Sequence, residues 1–365
     1  MDRSPSARAV LGMRPSERPL VSLLINNYNY GRFLPEAIDS ALQQTYGGTE
    51  TIVVDDGSTD DSRDVLARYG GRIGVVLKEN GGQASTVNVG FERCKGDVVI
   101  ILDADDRLTP DIAAAVAEVF LAHPEVARVQ YRVAVTDAVG RPTGERIPAD
   151  YVTMPNGDLR QGLIRFNNVT WWPPTSGHAY SANALRRILP MPESPFHVAV
   201  DYYLVRASAL LGPIVSLDRV GAYYRRHGRN EDSRDRLDLA QVRTQIELTR
   251  EAHLHLKRFA DSIGLRSFAT EAAEVADLRF VAMRMMSCKL DPSRHPVPED
   301  TLAGLARRGI RVARTQTHLP HRVRLLAAIW FLAILLAPKA QARTLAEKYS
   351  YPRTRPWLDR FLRRT

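Results

Sequence analysis

The sequence predicts an α/β fold with a mainly parallel sheet flanked by helices, followed by a C-terminal helical extension. Three observations predict it. Between Leu20 and Val135, short β-branched runs alternate with helical stretches, the order that builds a parallel sheet covered by helices. Three apolar runs end abruptly in amides or carboxylates: L-L-I-N-N from Leu23, V-V-D-D from Val53 and I-I-L-D-A-D-D from Ile100. From Asp238 onward the pattern is helical.

Taken in order, strands are expected at Val21–Ile25, Thr51–Val54, Ile73–Leu77, Val98–Leu102 and Arg128–Val135. Helices are expected between them at Leu34–Gln44, Asp61–Tyr69, Ala84–Arg93 and Pro110–Ala122. Thr109 is the expected N-cap of the last, because Pro110 lacks the N–H that a first helical residue leaves unused. Residues 136–200 are richer in Pro and Gly and read as loops and short strands, including W-W-P-P-T-S-G-H-A-Y-S at 171–181. A helix is expected near Asp201, a strand at Ile214–Leu217, two long helices over Asp238–Leu290 and a helical, basic tail from Pro298.

At 44% hydrophobic and 25% charged residues, the 365-residue chain can bury a sizeable core. Its first nineteen residues carry Arg3, Arg8, Arg14 and Arg18 among Ser and Pro without an apolar run of signal-peptide length, so residues 1–18 read as a flexible N-terminal arm. Cys94 and Cys288 are far apart and imply neither a disulfide framework nor a zinc site, and a cytoplasmic location fits. The net charge of +9 sits in the tail: from Arg307 onward fourteen Arg or Lys face only Glu347 and Asp359, which leaves about −3 for the rest. Such a tail suits an anionic membrane surface better than nucleic acid.

Parallel sheets bind ligands beyond the carboxyl ends of their strands. Asp103, Asp105 and Asp106 emerge at such an end, and crowded carboxylates repel one another unless a cation is shared among them. Hard oxygen ligands select Mg²⁺ or Mn²⁺, which would hold phosphates in turn. For an isolated D-x-D, a solvated turn that caps the next helix is the plain alternative. Here the same layer also holds V-V-D-D-G-S-T-D at 53–60 and the Asn26, Asn27, Tyr28, Asn29 cluster. Carboxylates can accept from a base or ribose, and Tyr28 offers a stacking face, so the layer suits a nucleoside diphosphate. There is no G-x-x-x-x-G-K-[ST] and no G-x-G-x-x-G after the first strand, which removes support for P-loop and dinucleotide readings.

The stretches P-L-V-S-L-L-I-N-N-Y-N-Y-G, T-I-V-V-D-D-G-S-T-D-D-S, G-G-Q-A-S-T-V-N-V-G and L-D-A-D-D, in this order, resemble the nucleotide-sugar half of family 2 glycosyltransferases with the GT-A fold. The resemblance covers about residues 19–230 and implies an inverting, metal-dependent transfer from a nucleotide diphosphate sugar. It implies Asn26, Tyr28 and Asp56 at the base, Asp103, Ala104 and Asp105 at the ribose and diphosphate, and Asn88 on the donor loop. It implies Asp105 and Asp106 as metal ligands. Asn26 stands where Pro or Thr is common in the family, and Val87 where Arg often precedes the Asn. Within F-H-V-A-V-D-Y-Y-L-V-R, Asp201 matches the family's general base, with Val200 in place of the usual Glu. A helix N-cap is the ordinary role of an Asp at a helix start. Arg226 and His227, in Y-Y-R-R-H-G-R-N, match a segment that reaches the diphosphate. Trp171, Trp172 and His178 are placed by position alone on the acceptor side.

The expected layout is therefore a GT-A domain over 19–235, with a nucleotide-sugar half to 135 and an acceptor half beyond it, and a helical extension over 236–365. In that extension Leu325–Ala337 is apolar between basic flanks, short of a bilayer span, and reads as an interfacial helix rather than a core helix. The expected activity is sugar transfer to a hydroxyl of a glycan or lipid-linked acceptor, at the inner face of the plasma membrane. A polyprenyl-phosphate sugar transferase and a sugar-nucleotide-binding protein without turnover are the alternatives.

Overall fold

The computed structural model describes residues 18–166, 172–194, 196–197, 199–228, 237–265, 277–316 and 319–350. The expected N-terminal arm therefore lies, except for Arg18, outside the described residues, as does Trp171. Two compact units are present, each with its own core.

The first unit runs to residue 148 and adds residues 154–161 and 172–226. In chain order it contains β1 (Val21–Asn27), α1 (Leu34–Leu42), β2 (Thr49–Asp56), α2 (Ser62–Ala67), β3 (Gly74–Lys78), α3 (Gly82–Phe91), β4 (Val98–Asp103), β5 (Arg107–Leu108), α4 (Ile112–Ala122), β6 (Arg128–Thr136) and β7 (Pro142–Ile147). The short α5 (Arg160–Phe166) lies where the two units divide the chain, and β8 (His178–Ser181), α6 (Ala182–Ile188), α7 (Val200–Leu211) and β9 (Ile214–Arg225) complete the first unit.

The strand order is β3-β2-β1-β4-β8-β6-β9-β5, with β7 on β6. The β3-β2-β1-β4 half is parallel, as the alternating pattern requires, and its inner strands are apolar on both faces because helices cover both. Antiparallel β8 joins β4 to β6, and β9 runs parallel to β6. The sequence suggested four residues for β9. It extends to Arg225 and so delivers the Y-Y-R-R segment to the strand ends. The core of this unit packs α1 and α4 against the sheet through Leu34, Ile38, Ile112 and Val116, all fully buried.

Helix α4 starts later than expected, at Ile112 with Asp111 before it. Thr109 does not cap it: its hydroxyl lies 3.2 Å from both the Asp111 carboxylate and the Gly221 carbonyl, and its backbone N–H also donates to that carbonyl. Pairing with β9 therefore holds Thr109 outside the helix.

The second unit takes residues 149–153, 162–166 and the chain from His227 onward, so two middle segments of the expected acceptor half belong to it. Its helices are α8 (Leu239–Ser262), α9 (Leu278–Leu290), α10 (Leu302–Thr315), α11 (His321–Leu336) and α12 (Lys339–Ser350). Asp238, Asp277 and Thr301 cap α8, α9 and α10 by accepting from first-turn N–H groups. Helix α9 is buried nearly all round, and the core adds Leu305, Val312, Phe331, Ile334, Ala342 and Ala346 from the last three helices.

Candidate active site

The strand ends gather the predicted carboxylates because β1 lies between β2 and β4 in parallel register. Asn26 stands opposite both Val54 and Asp103. Its amide donates to Asp103 Oδ1 at 2.9 Å, and the amide of Gln83, in the first turn of α3, donates to the same oxygen at 2.8 Å. Neither donor is charged.

Asp105 and Asp106 follow in a turn closed by the Asp106 N–H on the Asp103 carbonyl. Asp106 is 1% exposed, and both of its oxygens are taken. Ser176 Oγ donates to Oδ2 at 2.6 Å and the Arg225 N–H to Oδ1 at 2.9 Å. Through these contacts Asp106, expected with Asp105 as a metal ligand, pins the β9 end and the Ser176 turn to the strand-end layer. Arg225 closes the layer further, donating from Nε to the Asp105 carbonyl at 3.0 Å and from its other arm to Glu36 at 2.6 Å. Gln83, Ser176 and Arg225 were absent from the residues marked by sequence, since no spacing ties them to the acidic loop.

Like charges in a recessed place raise carboxyl pKa values. Burial, with Asp105 and then Asp201 nearby, pushes Asp103 up to about 7 against the opposing Asn26 and Gln83 bonds. Burial, Asp105 and Asp103 likewise hold Asp106 well above the carboxylate range, against the Ser176 and Arg225 bonds. Asp103 and Asp105 offer hard oxygen donors in a field that favours a cation, so they fit Mg²⁺ or Mn²⁺. Among the described residues no three His, Cys, Asp or Glu side chains group to hold a metal. A cation here would take one or two carboxylates and complete its shell with phosphate oxygens and water, as Mg²⁺ does.

On the β2 side, Asn27 donates to Asp55 at 2.7 Å, and Asp55 also receives the Ser58 N–H. Asp56 is 2% exposed and accepts from Lys78 Nζ at 2.5 Å and from the Gly81 and Gly82 N–H groups at 3.0 and 2.7 Å. It caps α3 from outside and folds the 78–82 loop over the sheet end. Gly57, at φ +75°, is required there, because a Cβ would approach the Asn80 N–H to 2.8 Å. Beside this loop lies an open groove of about 420 Å³ lined by Gly57, Arg63, Leu77, Lys78, Glu79 and Asn80. Tyr28 stands exposed at the end of β1.

Asn88 and Arg226 have protein partners of their own. Asn88 clasps the backbone of Met191, giving a hydrogen bond to its carbonyl and receiving its N–H at 2.9 and 2.8 Å, so it joins α3 to the chain after α6. Arg226 pairs with Glu145 of β7 at 2.6 Å. His227 is half-buried and begins the second unit.

Asp201 is the second residue of α7, not its N-cap. Ala199 holds that place in the left-handed region, at φ 63° and ψ 51°. The Asp201 carboxylate instead accepts from Trp172 Nε1 at 3.1 Å and from the Tyr202 N–H at 2.9 Å. Trp172 is in turn covered by the Arg206 guanidinium, 4.5 Å from the ring. His178, expected on the acceptor side, is fully buried between Arg128 and the Pro173 carbonyl, and burial with Arg128 holds its pKa well below the usual value. It belongs to the interior.

The model of glycosyl transferase family 2 matches residues 22–189. An uncharacterized glycosyltransferase of Nostoc sp. is 35% identical over 214 residues, which cover 58% of this chain and 66% of that protein. An undecaprenyl-phosphate 4-deoxy-4-formamido-L-arabinose transferase of Pseudomonas syringae pv. syringae is 41% identical over 107 residues, 27% of this chain and 32% of that one. Both alignments span less than two thirds of the relative. Among solved structures, S. aureus TarS 1-349 in complex with UDP-GlcNAc aligns with TM-score 0.52 and 18% identity over 90% of this chain and 91% of that one, which supports the fold alone. Residues 22–189, with their strand-end carboxylates on a GT-A type sheet, form a glycosyl transferase family 2 domain.

Proposed function

We propose that the protein transfers a sugar, with inversion, from a nucleoside diphosphate sugar to a hydroxyl of a glycan or lipid-linked acceptor. One observation carries this reading: Asp201, oriented by Trp172, follows directly on the Ala199–Val200 helix start, whose N–H groups share the Gln83 amide with Asp103. A base on a helix start and a diphosphate-facing carboxylate on a strand end are the two halves of a displacement at the anomeric carbon. Asp201 takes the acceptor proton at its carboxylate. Asp103 and Asp105 would hold a divalent cation, Mg²⁺ or Mn²⁺, which supplies positive charge opposite the departing diphosphate. Tyr28 and Asn26 line the base side with the 78–82 loop. Asp56 shapes that loop, with three of its roughly four acceptor sites already filled. Arg226, directly after β9, takes the diphosphate side in this reading, as the family resemblance implies.

The test is a melting-temperature panel of nucleoside diphosphates and their sugars with and without Mn²⁺, because a ligand that binds only the folded state raises the midpoint. Asp105→Ala should remove the Mn²⁺-dependent part of the shift and leave the rest. An undiminished Mn²⁺-dependent shift in that variant refutes the ligand assignment.

A second reading has its own support in the Pseudomonas relative, whose name places an undecaprenyl phosphate as acceptor. A phosphate acceptor is already an anion and needs no base, so an active Asp201→Asn enzyme would favour it.

The second unit supports binding at an anionic membrane surface. No helix among the described residues is long and apolar enough to cross a membrane. Helix α11 serves two faces: Phe331 and Ile334 are fully buried in the core, whereas Leu325, Ile329, Leu332 and Leu336, one stripe at helical spacing, are exposed. The buried pair belongs to the core, and the exposed stripe supports the expected interfacial role. Exposed Arg307, Arg311 and Arg314 follow one face of α10, and Lys339 and Arg343 are exposed on α12. Apolar stripe and basic residues together match an anionic lipid surface.

A further inference from the structure

We propose that Gln83 is a positioning residue that registers the helix carrying Asp201 to the strand-end carboxylate Asp103. The proposal rests on the reading of Asp201 as base. One amide makes both links. Gln83 Nε2 donates to Asp103 Oδ1 at 2.8 Å, and Oε1 accepts the Ala199 and Val200 N–H groups at 3.0 and 3.4 Å. Its own backbone N–H donates to the His197 carbonyl at 2.7 Å.

Helix starts carry N–H groups without intrahelical partners, normally satisfied by the residue just before the helix. That residue is Ala199 in α7, whose methyl side chain has no acceptor, and it adopts a left-handed conformation that L-residues avoid. The acceptor comes from α3 instead, across more than a hundred residues of chain. A strained residue persists where its surroundings over-determine it, and here the determinant is the Gln83 oxygen. Gly82, beside it, has φ +86°, and a Cβ there would collide with the His197 ring at 2.1 Å, so the α3 start and the segment before α7 fit closely on both sides of Gln83.

The consequence is a mechanical link. An amide has a fixed angle between its N–H and C=O, so any movement of Asp103 on ligand binding moves the Ala199–Val200 turn, with Asp201 one residue on. A glutamine is required because the two partners are of opposite kind: a carboxylate asks for a donor, and helix N–H groups ask for an acceptor.

The experiment compares the full chain with Gln83→Met, close in size but without the amide, and Gln83→Asn, which keeps the amide on a stem too short to span both partners. Hydrogen exchange at Ala199 and Val200 is followed with and without Mn²⁺ plus UDP, GDP or dTDP as probes. In the parent, the bound probe slows exchange at both amides. In both variants basal exchange there rises by about tenfold, as expected for one lost hydrogen bond, and the probe no longer slows it. Donor turnover to water falls by about 10- to 100-fold while probe affinity stays within about threefold, the split expected of displaced geometry. Probe-dependent slowing that persists in either variant overturns the proposal, and so does unchanged turnover. Exchange needs no catalysis, so the two readings separate: lost coupling in the variants with an active Asp201→Asn would retain the link and refute the base.

Discussion

Replacing Asp201 by Asn tests the base with little structural disturbance. The carboxylate accepts hydrogen bonds from Trp172 Nε1 and from the Tyr202 N–H. Asn keeps one acceptor oxygen, so one bond to a charged group is lost, about 1.5 kcal/mol. Removing a negative charge near Asp103 relieves part of the repulsion recorded in its raised pKa, which offsets some of that loss. Since Asp201 is not the N-cap, Asp201→Ala does not forfeit a cap either. The net change in stability should be within about 1 kcal/mol, or a few degrees in melting temperature. Turnover should fall by about 10²- to 10⁴-fold, which is roughly 2.7 to 5.4 kcal/mol of barrier. The assay measures kcat with a hydroxyl acceptor alongside donor affinity by calorimetry. Donor affinity stays near the parent's because the lost contact acts in the transition state. An Asn variant with turnover within about threefold of the parent would refute the base assignment.

Two further predictions concern the second unit. Asp300 receives His295 Nε2 at 2.9 Å and Arg284 Nε at 2.7 Å; burial opposes its ionisation, but these bonds outweigh it and hold its pKa below the usual carboxylate value. A depressed carboxyl contributes stability that is full above its unfolded pKa near 3.8 and lost as pH falls through the lower folded value. Asp300→Asn should thus cost about 3 to 5 kcal/mol at pH 7, leaving Arg284 buried without its counter-charge, and less at pH 3; denaturation at both pH values checks it, and an equal loss at both would refute the linkage. For the membrane surface, deleting α11 is a poor test because Phe331 and Ile334 hold the core. The pair Ile329→Glu and Leu332→Glu, at positions 50% and 45% exposed, should abolish sedimentation with anionic vesicles and leave the melting temperature within about 3 °C; undiminished sedimentation would rule out the stripe as the contact.

By itself the sequence determined the parallel half of the sheet and the strand ends at which the site is proposed. The runs at Val21, Thr51 and Val98 are apolar enough to be buried on both faces, and such strands carry Asn26, Asp56 and Asp103 to the sheet edge beyond which ligands bind in parallel sheets. Those signals are local and periodic, so they survive in one dimension. The tertiary structure alone decided which groups share a task. Asp105 and Asp106 are neighbours in sequence, but contacts from Ser176 and Arg225, 70 and 119 residues away, make Asp106 an anchor. The sequence left Asp201 as helix cap, base or both; the structure puts Ala199 at the cap position, with its N–H on Gln83. The physical reason is the range of the interactions: burial pattern is written every few residues, whereas a hydrogen bond is fixed only once folding brings distant segments within about 3 Å of each other.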